Sequence, residues 1–244
     1  MTALLGSDLR DAVTAALSTV RDPELDESIV DLGFVTETTV DNGHAQVRLR
    51  LPTYFCAPNF AYLMVADAYD AVRSVPNIDT ASIVLEEHFA AEEINSGVAA
   101  GVGFVGSFLD EAGSELTDLR RTFQRKAHMA AMERACRRLI AGGWTVASLP
   151  QARLADVPDG VERASLLRRR SDIGLPLDPD SPVFVDDSGS PVPSEDAAMR
   201  LRFARTVRVS IDGNAHFCRG LLTTRYPESA AAQRPRQFTE EDPR

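Results

Sequence analysis

The dipeptide Asn42-Gly43 lies between two short runs in which apolar and polar residues alternate. Both residues tolerate the positive φ angles of a tight two-residue turn, so the pattern predicts an antiparallel hairpin. Phe34 to Val40, rich in Thr and Val, forms the first strand, and Ala45, Val47, Leu49 and Leu51 point inward from the second. Upstream, Ser7 can cap a helix whose apolar positions Leu9, Val13, Ala16, Leu17 and Val20 keep helical spacing. Pro23 ends that helix, because it lacks an amide proton and biases Asp22 toward extended geometry. Downstream, Pro58 suits the first position of a second helix with Phe60, Leu63, Met64, Ala68, Ala71 and Val72 on its core face. Ala81, Ile83 and Leu85 then form a third strand.

The fold class read from this order is α/β of the α+β type. A small two-layer α-β-β-α-β sandwich is followed by a mixed helical and β-hairpin second domain. Residues 1–87 make the sandwich, 88–113 a Gly- and Ala-rich connector, 114–226 the second domain, and 227–244 a polar, disordered tail. In the second domain a long helix runs from Ser114 to Ala141 and stops at Gly142-Gly143. A shorter helix covers Val161 to Arg170, Val183-Phe184-Val185 reads as a strand, and a third helix covers Ser194 to Arg205. A final hairpin pairs Val207, Val209 and Ile211 with Ala215 to Leu222 across Asp212-Gly213-Asn214.

Charge is unevenly shared. Residues 1–107 carry five Arg and no Lys against sixteen Asp and Glu, whereas residues 108–244 are nearly balanced. An acidic first half argues against nucleic acid, whose phosphates need clustered positive charge, and suits metal cations or a basic protein partner. The three cysteines, Cys56, Cys136 and Cys218, are odd in number and far apart, which fits reduced thiols in a cytoplasm better than a disulfide framework. The Val98 to Leu109 run is too short for a membrane span, which takes about 18 residues.

Cys56 is the leading site candidate. It falls between a strand ending at Leu51 and a helix opening at Pro58, where the helix dipole and unpaired amides favour a thiolate. Asp22-Pro23-Glu24, Ser28-Ile29-Val30-Asp31-Leu32-Gly33 and Thr53-Tyr54-Phe55-Cys56 together resemble the iron–sulfur cluster assembly domain family over about residues 8–86. The family places proline directly after the cysteine, whereas here Ala57 intervenes, and Glu86-Glu87-His88-Phe89 stands where relatives carry proline and tryptophan. The resemblance implies that Asp22 and Glu24 lie near Cys56 and, with Thr53, shape a metal-handling site. It also implies that iron or an iron–sulfur cluster is handled transiently. A turn capped by Asp22 is the alternative role for the Asp-Pro-Glu loop.

Other residues carry chemistry of the same kind. If 88–95 is helical, His88 and Glu92 share a face at i, i+4 spacing and offer the mixed imidazole–carboxylate ligands iron accepts. On the expected final hairpin His216 and Cys218 point to one face and could bind a metal or complete a site with Cys56. Cys136, inside the long helix, reads as structural. Gly101 to Gly106 spells G-x-G-x-x-G, but no strand precedes it, so it reads as connector. Arg120, Arg121, Arg125, Lys126, Arg134, Arg137 and Arg138 on the long helix could dock an acidic partner or make a solvated face.

The leading functional reading is a non-enzymatic maturation factor that carries or inserts iron or an iron–sulfur cluster into a client metalloenzyme. The resemblance extends to accessory proteins of multicomponent bacterial oxygenases, which points to a di-iron oxygenase component as client. One thiolate cannot hold a cluster that takes four cysteines, so the cluster version requires a homodimer. The alternatives are a metal-free protein–protein adaptor for oxygenase assembly and a Cys56-dependent thiol enzyme.

Overall fold

Asn42 and Gly43 adopt φ of 46° and 76° and close the hairpin that their sequence predicts. The latter φ favours glycine at position 43, and a Cβ there would lie 2.6 Å from the Asp79 carboxylate and oblige it to shift. The computed structural model describes residues 2–108 and 116–227, with side chains from Asp8 onward. The expected tail beyond Pro227 therefore lies outside the described residues. Two units make up the chain. The first comprises Met1–Val20, Ser28–Val102 and the chain from His216; the second comprises Arg21–Glu27 and Gly103–Ala215.

In the first unit, β1 (Val35–Asp41) and β2 (His44–Arg50) pair antiparallel, with Val40 opposite Ala45. Helix α1 (Thr2–Leu17) precedes them, and α2 (Pro58–Arg73) carries the chain from β2 to β3 (Thr80–Glu86). β3 runs parallel to β2, with Val47 opposite Ile83 and Leu49 opposite Leu85, and the sheet order is β1-β2-β3. The inward residues Ala45, Val47, Leu49, Ile83 and Leu85 are buried together with Val13 and Leu17 of α1 and Met64, Val65, Ala68 and Val72 of α2. The α+β class and the α-β-β-α-β order follow as read. The segment expected as a connector instead opens with α3 (Ala91–Ala100), which packs on α2 and β3. There the Asn95 side chain accepts from the Leu85 N–H (2.8 Å) and donates to the Leu85 carbonyl (3.0 Å), satisfying the backbone of the outer strand.

The second unit is helical. α4 (Gly103–Ser107) occupies the G-x-G-x-x-G segment, and α5 (Thr117–Ala141), α6 (Val161–Asp172) and the first part of α7 (Ala197–Arg225) follow. Met132, Ala135, Cys136 and Leu139 of α5 share a buried core with Leu166 and with Val183, Phe184 and Val185. Those last three residues are core but not a strand: Val185 bridges Pro191, the Val183 N–H donates to the Ala152 carbonyl (3.0 Å) and the Phe184 carbonyl accepts from the Val192 N–H (3.2 Å). Arg170 is buried and donates to the carbonyls of Pro176 (2.8 Å) and Pro182 (2.9 Å), which fixes this loop without a ladder.

The expected C-terminal hairpin is not formed. Residues 197–225 are one continuous helix, α7, and Asp212-Gly213-Asn214 lies inside it. Ala204, Ile211, Ala215 and Leu222 are buried at helical spacing, while Val209 and Phe217 are exposed. Asp212 is held by Arg134 of α5 and Arg208 one turn away, each at 2.6 Å. The local turn signal is thus overridden by side-chain pairing that only a helix provides.

Gly213 is a direct test, since a Cβ there would meet nothing within 4 Å. Gly213→Ala is expected to stabilise the protein by about 0.5–1 kcal/mol, raising Tm by roughly 1–4 °C in calorimetry. A turn at this position would instead make alanine destabilising.

Candidate metal-handling site

Because β2 and β3 are parallel, their C-terminal ends lie side by side, with Arg50 opposite Glu86. The two chain segments that leave those ends meet. After β2, Pro52 is buried, Thr53 half-buried, Tyr54 and Phe55 exposed, and Cys56 half-buried immediately before the Ala57-Pro58 start of α2. After β3, Glu87 adopts φ of 52° and turns the chain so that His88 points back into the fold.

His88 joins the two segments. Its Nε2 donates to the Cys56 carbonyl at 2.7 Å and its Nδ1 accepts from the Ala90 N–H at 3.2 Å, which defines a neutral ring. Burial holds the His88 pKa below its usual value against the opposing pull of the Cys56 carbonyl, and the Arg225 charge adds to the lowering. The Phe89 N–H donates to the Tyr54 carbonyl at 3.0 Å, and the Phe89 ring lies 6.3 Å from Tyr54 and 4.9 Å from His88. Three exposed rings, Tyr54, Phe55 and Phe89, therefore lie on the two segments that meet beside the half-buried Cys56.

The end of α7 pins the same loops. Arg225 donates to the carbonyls of Leu51 (3.3 Å) and Glu87 (2.9 Å), and the Tyr226 hydroxyl donates to the Glu87 carboxylate at 2.8 Å. Burial, then that hydrogen bond, pushes the Tyr226 hydroxyl up to about 12. Glu86 pairs with Arg48 and with Arg50 (3.2 Å), so neither Glu86 nor Glu87 is an open ligand.

The other expected site residues are arranged differently from the sequence reading. α3 begins at Ala91, so His88 and Glu92 do not share a helical face, and both His88 nitrogens are engaged by backbone. Glu92 is exposed in the first turn of α3, where the helix dipole favours it. His216 and Cys218 lie two residues apart on a helix, not a strand, and so face different directions; His216 is exposed and Cys218 half-buried. Cys136 is fully buried, and burial followed by the Glu133 charge pushes its thiol up to about 12. Among the described residues no group of three or more His, Cys, Asp and Glu could hold a metal ion.

Asp22 and Glu24 belong to the second unit. Asp22 is buried, and its carboxylate accepts from the Glu24 N–H (2.8 Å) and the Leu25 N–H (2.9 Å), capping the Asp-Pro-Glu turn. Glu24 accepts from Asn214 at 3.2 Å. Sequence reasoning missed the roles of Arg225 and Tyr226, for which no local signal exists: Leu51 and Arg225 are 174 positions apart.

A model of the iron–sulfur cluster assembly protein family matches residues 10–84. The chain is also 31% identical over 87 residues to an uncharacterized protein of Methanocaldococcus jannaschii, an alignment covering 35% of this chain and 90% of that protein. Through its N-terminal third, this chain belongs to the iron–sulfur cluster assembly protein family. No solved structure matches it. Family membership ties the segment that carries Cys56 to cluster assembly, whereas His88 and all of α3 to α7 lie outside the matched residues.

The Asp22 turn yields a pH prediction. Burial raises its carboxyl to about 6 in the folded protein. A raised carboxyl pKa means that the folded state holds the proton more tightly, so stability falls as pH rises from about 4 to 6. The loss is on the order of 3 kcal/mol. Asp22→Asn retains the acceptor oxygen without the charge. Its Tm is expected to exceed that of wild type at pH 7.5, with the gap closing toward pH 4, as read by calorimetry across that range.

Proposed function

We propose that this protein carries iron or an iron–sulfur cluster as cargo and inserts it into a client metalloenzyme. The observation that carries this reading is the placement of Cys56: a partly accessible thiol on a backbone fixed by His88, with exposed aromatics on the same two segments, in a unit of the cluster assembly family. A soft thiolate suits iron and sulfide cargo. The site residues present fit one ligand position only. A cluster takes four, so the remaining ligands come from a second copy of the chain or from the client, and a homodimer pairing two Cys56 thiolates is the simplest way to hold one.

The sequence resemblance to oxygenase accessory proteins makes a di-iron oxygenase component the proposed client. The protein is proposed to work in the cytoplasm, where its cysteines remain thiols; among the described residues no helix is long and apolar enough to cross a membrane. His88 hydrogen-bonds the Cys56 carbonyl with one nitrogen and accepts from Ala90 with the other, which leaves no ring nitrogen to serve as base for the thiol, as a cysteine nucleophile would require. The exposed Tyr54, Phe55 and Phe89 favour one second reading, a metal-free adaptor that grips its client through this surface.

Anaerobic reconstitution with iron and sulfide separates the two. Wild type is expected to retain iron and labile sulfide, with charge-transfer absorption in the visible, and to sediment as a dimer when loaded. Cys56→Ser is expected to lose most of both. Wild type that retains neither iron nor sulfide overturns the cargo reading and leaves the adaptor.

A further inference from the structure

The second unit contains a cavity of about 430 Å³ between α5 and α7, a size typical of small-molecule sites. Its polar lining is four guanidinium groups, Arg137, Arg202, Arg205 and Arg208, against one carboxylate, Glu133. Glu133 is buried, and its Oε2 lies 2.6 Å from Arg208 Nε, while Arg208 also pairs with Asp212 at 2.6 Å. Arg208 is therefore neutralised twice. Among the described residues Arg137, Arg202 and Arg205 have no ion pair, so three uncompensated positive charges face one cavity.

The cavity is open, and Arg137, Arg202 and Arg205 are exposed to solvent in its lining. Arg202, Arg205 and Arg208 recur at three-residue spacing along α7, where like charges repel. Glu133 and Arg137 are one turn apart on the facing stretch of α5, with Ile140 one further turn on. Ile140, Val146 and Leu201 supply an apolar wall beside the guanidinium groups. Guanidinium forks recognise phosphate and carboxylate oxygens in bidentate fashion, and Arg137, Arg202 and Arg205, unlike Arg208, are open to do so.

We propose that this cavity binds a small organic dianion, a phosphate ester or a dicarboxylate, with an apolar body against Ile140, Val146 and Leu201. The anion lies across Arg137, Arg202 and Arg205 and supplies the charge that the protein does not. This site is independent of Cys56 and of the cargo reading.

Phenyl phosphate and phthalate are suitable probes, since each joins a dianionic group to one ring. Binding is read by isothermal titration calorimetry and by fluorescence of Trp144, the single tryptophan, which packs against the core of this unit two positions before Val146. Wild type is expected to bind at least one probe saturably at 1:1 stoichiometry. Arg202→Gln with Arg205→Gln, and separately Arg137→Gln on the other wall, are expected to weaken it about tenfold or more. Arg168→Gln removes the same charge from an exposed position on α6 away from the cavity and is expected to change affinity less than twofold. Saturation by phenyl phosphate alone identifies a phosphate ester, and saturation by phthalate alone or by both extends the site to carboxylates. Failure of both probes to saturate, or equal weakening by Arg168→Gln, overturns the proposal. Circular dichroism of each variant verifies that the helices are intact.

Discussion

The hydrogen bond from His88 to the Cys56 carbonyl is the contact on which the candidate site depends, and it exists because two strands run in the same direction. An antiparallel third strand would have sent its outgoing loop to the opposite end of the sheet. Parallel pairing of β2 and β3 instead delivers the segments after Arg50 and Glu86 to one end of the sheet, the carboxyl end of both strands. Burial of a neutral imidazole then costs little, because both ring nitrogens find backbone partners. The thiol itself remains at the surface while its backbone is fixed. That combination suits a group that must meet another molecule without changing the loop that presents it.

The second unit is held by a different economy of forces. Its core gathers aliphatic side chains with Met132 and Phe184, and the loops that close it are fixed by buried arginines. Arg170 donates to two carbonyls, and Arg169 pairs with Asp26 and with Asp172 at 2.8 Å. Asp26 sits at φ 55° in the Asp-Pro-Glu loop, so a segment matched by the family model is fastened by a residue that lies outside it. Burial raises the Asp26 carboxyl even with Arg169 beside it, a sign that desolvation outweighs the attraction of the pair.

The hairpin, the start of α2 at Pro58 and the position of Cys56 were legible because each rests on chemistry within a few residues: Asn-Gly for the turn, proline for the first helical position, alternation for the strands. His88 was legible as a residue of interest but not in its role. Its assignment to a helix with Glu92 failed because Glu87 takes a left-handed conformation and delays α3 to Ala91. α7 was misread for a related reason. Asp212-Gly213-Asn214 has the composition of a turn, and Val207, Val209 and Ile211 alternate like a strand. The contacts that decide the matter, Arg134 to Asp212 and the burial of Ile211 and Ala215, come from distant sequence or appear only once the chain has coiled.

The Cys56 loop is fastened by Arg225 and Tyr226, at the far end of the chain from the strands that present it. During translation, 174 residues separate Leu51 from its arginine partner. At ~5–20 residues per second, the nascent sheet waits on the order of ten seconds or more before that clasp is synthesised. The loop that carries the thiol is thus clasped only after Arg225 and Tyr226 have been synthesised. A nascent chain that stalls between Glu87 and Arg225 presents Cys56 without the clasp on the Leu51 and Glu87 carbonyls.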